Sequence, residues 1–204
     1  MSLVFSHGSD LSIVSASGGS EGGSKGGRRL LRLSSAPEDV EVLVSAGMVF
    51  WVDSAKSAIY RSKMEDGVRK VVIPQGVGGD SIAVDWVSSN LFVANRDRNT
   101  ITLTSLDGAL QKTVITTASN PSCIRVIPEK ALLIWTETGA SPRLVSSAMD
   151  GSRVSVILEN PVYVRSPRDV AVDYVHNRIY WIDEDLKHIA SVDIDGSDPS
   201  IVKR

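Results

Sequence analysis

The chain has 204 residues, a formal net charge of −2, 23% charged residues and 42% hydrophobic ones. That balance excludes the broad basic field that recruits nucleic acid, and no apolar run approaches the roughly 18 residues needed to span a bilayer. Cys123 is the single cysteine, so no disulfide forms within the chain and packing alone must hold it.

The first segment, Met1–His7, has neither a basic flank nor a long apolar region and does not read as a signal peptide. Strands are expected at Leu3–Ser6, Leu11–Ser15 and Leu30–Leu33. Between the last two lies a Gly/Ser tract, Ser17–Gly27, which reads as a flexible loop. It matches Gly-x-Ser-x-Gly twice, at Gly18–Gly22 and Gly22–Gly26. A hydrolase nucleophile in that motif needs a strand before it and a helix after it, and neither is expected here. Lys25, Arg28, Arg29 and Arg32 form a basic cluster that reads as a solvated edge.

Four sets of short strands follow. The first is Val40–Ala46, Val49–Asp53, Ala58–Met64 and Arg69–Ile73. The second is Ser81–Trp86, Leu91–Asn95, Thr100–Leu106 and Gln111–Thr116. The third is Cys123–Ile127, Leu132–Glu137, Arg143–Met149 and Arg153–Leu158. The fourth is Asp169–Tyr174, Arg178–Asp183, His188–Ile194 and Ser200–Lys203. Runs this short, alternating, rich in Val, Ile and Thr and parted by Gly/Asn/Asp turns, predict antiparallel strands, and no segment sustains a helical period.

The second strand of each set is a variant of one phrase: Phe50-Trp51-Val52-Asp53, Phe92-Val93-Ala94-Asn95, Ile134-Trp135-Thr136-Glu137 and Tyr180-Trp181-Ile182-Asp183. The closing residues Asp53, Asn95, Glu137 and Asp183 lie 42, 42 and 46 positions apart. A Gly-closed turn follows each: Asp66-Gly67, Asp107-Gly108, Asp150-Gly151 and Asp195-Gly196. Four strands per repeat of about 40 to 45 residues is the blade of a β-propeller. The blades divide as 39–76, 77–118, 119–160 and 161–204, preceded by 1–38 as the outer strands of one more, all within a single partial propeller, 1–204.

The repeated residues have mechanical roles. Trp51, Trp135 and Trp181 suit the wedge that widens between neighbouring blades. Asp53, Asn95, Glu137 and Asp183 differ in charge but share a side-chain oxygen, which suits a position that accepts N–H bonds from an adjoining loop. A catalytic role would not need four copies. His7, His176 and His188 are not at metal-ligand spacing. Cys123 opens an apolar strand and reads as a buried, inert thiol.

These phrases resemble the Tyr-Trp-Thr-Asp (class B) repeats of the low-density lipoprotein receptor family. Trp135–Leu144 with Ala148–Ser152 is similar to the family's third repeat, Ile179–Ile189 to its fourth, and Leu3–Ser15 to its opening unit. Ser9–Val14 and the Ala148–Ser152 turn are most similar to the Wnt co-receptor branch. The resemblance implies a six-bladed propeller, of which this chain supplies four full four-stranded blades plus three strands of a fifth: an all-β, incomplete six-bladed propeller. It also implies an extracellular protein-binding module on the outer face of a plasma-membrane receptor, serving ligand binding, endocytosis or Wnt co-receptor signalling. Such a module would have extracellular protein ligands and adjacent EGF-like modules as partners, with no cofactor, no metal, no nucleic acid and no membrane contact of its own.

In that family the loops entering each inner strand line the ligand face. Here the corresponding positions are Asp39, Asp80, Ser122, Arg168 and Asp169. Arg168 stands where the family's asparagine-reading residue is expected, which departs from the pattern. Two other readings remain open. One is a metal-dependent propeller hydrolase, for which Asp85, Asp169 and Asp173 are the candidate inward acids; the other is a truncated gene product without independent function.

Overall fold

The computed structural model describes residues 2–15, 28–65, 67–73, 78–116 and 118–204. The Gly/Ser tract with its two hydrolase-like matches, Lys25, and Asp66 of the first Asp-Gly turn lie outside them. Every extended run expected from the alternation is a strand.

β1 (Ser2–His7), β2 (Asp10–Ser15) and β3 (Arg28–Arg32) form a three-stranded sheet in that order. Four four-stranded antiparallel meanders follow. The first is β4 (Val40–Leu43), β5 (Met48–Asp53), β6 (Ala58–Lys63) and β7 (Lys70–Ile73). The second is β8 (Ser81–Asp85), β9 (Asn90–Asn95), β10 (Thr100–Ser105) and β11 (Gln111–Ile115). The third is β12 (Pro121–Ile127), β13 (Leu132–Glu137), β14 (Arg143–Ala148) and β15 (Ser155–Leu158). The fourth is β16 (Pro167–Asp173), β17 (Arg178–Asp183), β18 (His188–Asp193) and β19 (Ser200–Lys203). The sheets fall into two compact units, one ending at Gly78 and one spanning Gly79–Arg204.

The expectation of an incomplete six-bladed ring is corrected here. The structure is an all-β propeller fold with four four-stranded blades, and the three-stranded sheet precedes them. The reason lies in what each observation counts. The 42-residue spacing counts the units present in this chain; the number six came from the resemblance and has no counterpart in the spacing.

Local chemistry shifts several strand ends. β4 stops at Leu43 rather than Ala46, because Val44–Ala46 is a 3₁₀ turn closed by Gly47 at φ +59°. Similar single turns occupy Ser54–Lys56 and Pro128–Lys130. β12 and β16 begin two residues early, at Pro121 and Pro167, which pair with Glu137 and Asp183 before a register shift. Proline is tolerated at a strand's first residue, where no ladder N–H is required.

Alternation along the second strand sends its residues to two different interfaces. Trp51 packs with Leu11, Leu33, Val49, Ala58 and Tyr60 in the first unit. In the second unit, Trp135 joins Phe92, Ile101 and Ile115 of the preceding sheet, whereas its neighbour Ile134 belongs to the next cluster with Trp181, Leu144 and Val170. The third blade is thus apolar on both faces, as a layer packed between two others must be.

A bulge recurs on the last strand of all five sheets. The register shifts leave one extra residue at Leu30, Val72, Val114, Ile157 and Val202. Three of the Asp-Gly turns seat their glycine against such a residue in the preceding sheet. A Cβ on Gly67 would lie 3.3 Å from the Leu30 carbonyl oxygen, and one on Gly196 would lie 2.5 Å from that of Ile157. At Gly151 it would overlap the Val114 carbonyl outright. These glycines have φ of +64°, +89° and +89°, so backbone conformation disfavours a side chain at all three, and at Gly151 and Gly196 the space excludes one as well.

Candidate ligand-binding surface

The motif tryptophans Trp51, Trp135 and Trp181 are each 1% exposed. Trp51 stacks on Tyr60 with ring centroids 5.7 Å apart. The Trp135 indole N–H donates to Glu137 Oε1 at 3.1 Å, and that of Trp181 donates to the Tyr163 carbonyl at 3.1 Å. Val93, which replaces the tryptophan in the second repeat, is also buried.

The closing residues hold loops by several routes. Asp183 accepts the backbone N–H groups of Arg165, Ser166 and Leu186 at 2.7, 2.9 and 3.0 Å. Asn95 Oδ1 accepts from the Arg98 N–H at 2.8 Å. Asp53 accepts from the Lys56 N–H and ammonium and from the hydroxyls of Ser34 and Ser35. Burial would push the Asp53 carboxyl up, but the bonds from Lys56, Ser35 and Ser34 outweigh it and hold its pKa below the usual carboxylate value. Glu137, one methylene longer, instead accepts from the Trp135 indole and from Arg143 Nε at 2.7 Å. Asp53, Glu137 and Asp183 are buried and hydrogen-bonded, which leaves them occupied in holding the fold.

The leading ends of the first strands carry the residues expected at a ligand face. In the first unit, Asp39 Oδ1 accepts from the Val40 N–H at 2.9 Å, and its carbonyl accepts from the Val52 N–H at 3.0 Å. In the second unit the positions are linked. Asp80 Oδ2 accepts from the Arg96 N–H at 2.7 Å, and the Arg96 guanidinium donates to Ser122 Oγ at 3.2 Å. Asp169 Oδ1 accepts from the Val170 N–H at 2.9 Å and from Arg125 Nη2 at 3.2 Å. The buried Cys123 thiol lies 3.5 Å from the same oxygen. Arg168 Nε donates to Glu184 Oε2 at 2.6 Å. The side chains of Arg168 and Asp169 are 53% and 64% exposed. Arg168 also borders a cleft of about 570 Å³ with Ile182, Glu184, Lys187 and Ile189.

Arg96 and Arg125 were not singled out by the repeat pattern. Neither occupies a motif position, so the periodicity carries no signal for them; only the assembled sheets bring them to Ser122 and Asp169. Of the three hydrolase candidates, Asp169 pairs with Arg125, and the other two act as turn caps. Asp85 accepts the N–H groups of Val87 and Ser88, and Asp173 those of Val175 and His176. The His176 side chain, 2.7 Å away, with these backbone bonds holds the Asp173 carboxyl below its ordinary pKa. Among the described residues, no group of three or more His, Cys, Asp or Glu is placed to hold a metal ion.

No family model matches the chain. It is 31% identical over 121 residues to the vitellogenin receptor of Solenopsis invicta, which covers 59% of this chain and 7% of that protein. It is 25% identical over 162 residues to the vitellogenin receptor Yl of Drosophila melanogaster, covering 78% and 8%. The chain thus spans less than a tenth of these relatives' length. A chain in the crystal structure of a nidogen/laminin complex superposes with a TM-score of 0.87 at 17% identity, covering 98% of this chain and 77% of that one; that likeness concerns the fold. What sequence and fold together define is a β-propeller. Its repeats resemble the class B repeats of the low-density lipoprotein receptor family, and the relatives it matches are receptors. No helix of the described residues is long and apolar enough to cross a membrane.

Proposed function

We propose that this chain is part of the extracellular region of a lipoprotein-receptor-like endocytic receptor, and that it binds protein ligands on the leading ends of its first strands. The observation that carries this reading is a division of labour. The charged motif residues are buried in loop-holding bonds, whereas Arg168 and Asp169 stand exposed at a strand start, each braced by an oppositely charged side chain, Glu184 and Arg125. Braced, half-exposed charges lose little freedom when a ligand arrives, which favours binding. The full receptor would carry EGF-like modules beside the propeller.

The curated relatives are vitellogenin receptors by name, which favours vitellogenin over a Wnt-type ligand. Purified vitellogenin, passed over the immobilised chain, is the direct probe. The double variant Arg168→Ala, Asp169→Ala should bind at least about tenfold more weakly, as loss of polar interface anchors does, with an unchanged melting temperature. Equal affinity of variant and wild type would remove this surface from the function.

A further inference from the structure

The opposite ends of the same strands carry a feature that the ligand-face reading does not use. Trp86 directly follows β8 and Tyr174 directly follows β16, at the same position in two different repeats. Their rings meet edge to face, with centroids 5.4 Å apart at 89°. The Tyr174 hydroxyl donates to the Val126 carbonyl of the intervening strand β12 at 3.3 Å. The pair therefore ties three consecutive first strands together at their trailing ends, yet Trp86 remains 39% and Tyr174 46% exposed. Val87 and Val175, the next residues, are 65% and 82% exposed. The other three tryptophans of the chain are each 1% exposed.

Charge separates this end from the other. In the second unit, the trailing-end loops 86–89, 106–110, 128–131, 149–154, 174–177 and 194–199 carry five carboxylates against two Lys/Arg. Among the strand-end residues there, Asp85, Asp173 and Asp193 add three carboxylates and Arg178, which pairs with Asp193 and Asp198, adds one guanidinium. The leading-end segments 79–80, 96–99, 118–120, 138–142, 159–166, 184–187 and 204 balance, five against five.

We propose that this trailing end is a second binding surface, and that its occupant is a Lys/Arg-rich polypeptide segment lying across Trp86 and Tyr174. An exposed indole on an end whose loops carry excess carboxylate suits a cationic side chain: the ring face attracts the charge, the ring body covers the aliphatic stem, and the net negative charge of that end steers the approach. A carboxylate-rich partner is repelled by the same field. An uncharged apolar partner gains nothing from it.

The test uses the whole chain and labelled deca-lysine, with deca-glutamate and an uncharged Leu/Pro decapeptide as controls. Deca-lysine should bind with salt-sensitive affinity and shield Trp86, the accessible tryptophan, from acrylamide quenching. Trp86→Ser and Tyr174→Ala should each weaken binding about three- to tenfold, Trp86→Phe should retain most of it, and Arg98→Ala, at an exposed leading-end turn, should leave deca-lysine binding unchanged. Retained fluorescence of the buried tryptophans reports that each variant is folded. Equal binding of deca-lysine to wild type and Trp86→Ser, or equal binding of the uncharged peptide to wild type, overturns the proposal. Because Arg168 lies at the other end, this outcome is independent of the vitellogenin experiment.

Discussion

At the scale of single residues, burial decides which parts of the motif matter for stability. Trp181 is 1% exposed and packs against the sheet before its own, so Trp181→Ala should cost roughly 3–5 kcal/mol. Glu65→Ala, at an exposed turn, should stay within about 0.5 kcal/mol. Chemical denaturation of the two variants checks this; similar midpoints would contradict the packing account. Asp53 gives a pH signature. Its pKa is lowered in the folded state, so the stability it contributes is present above the unfolded carboxylate value and lost as pH falls through the lower folded value. The melting-temperature gap between wild type and Asp53→Asn should hold from pH 7 to about 5 and close below about pH 4. A gap independent of pH would show that the charged form of Asp53 does not matter. The tryptophans and closing acids were legible in the sequence because repetition marks them. Arg96 and Arg125 were not, because their partners lie 26 and 44 residues away on neighbouring sheets.

At the scale of elements, the strands followed from alternation and turn chemistry. The bulge and its glycine did not, since a register shift leaves no trace in one strand's own sequence. Only the pairing of strands shows that the bulged Val114 and Ile157 present their carbonyls to Gly151 and Gly196. Gly196→Ala meets both a positive φ and the Ile157 carbonyl 2.5 Å from its new methyl, and should cost about 2–4 kcal/mol. Gly47→Ala has a positive φ but open space around it, and should cost about 1–2 kcal/mol. Thermal melts of the pair separate the two terms; equal losses would mean that the turn does not seat against the preceding blade. The 3₁₀ turn at Val44–Ala46 escaped the alternation for a related reason: Val-Ser-Ala carries no breaker, and the capping Gly47 lies one residue beyond.

At the scale of the whole molecule, the 42-residue spacing told the number of motif-bearing blades, and the resemblance supplied the kind of protein proposed. Where resemblance supplied a count, six blades, the structure did not follow it. Where it supplied a chemistry, the relatives agree in being receptors. The central claim is that the motif residues build the scaffold while the leading ends of the first strands bind a protein. Hydrogen–deuterium exchange of the chain with and without vitellogenin tests that claim most directly. The account predicts new protection concentrated in 118–122 and 165–169, with the trailing-end turns 106–110 and 149–154 unchanged. Protection confined to the trailing ends, or none at saturating ligand, would contradict it.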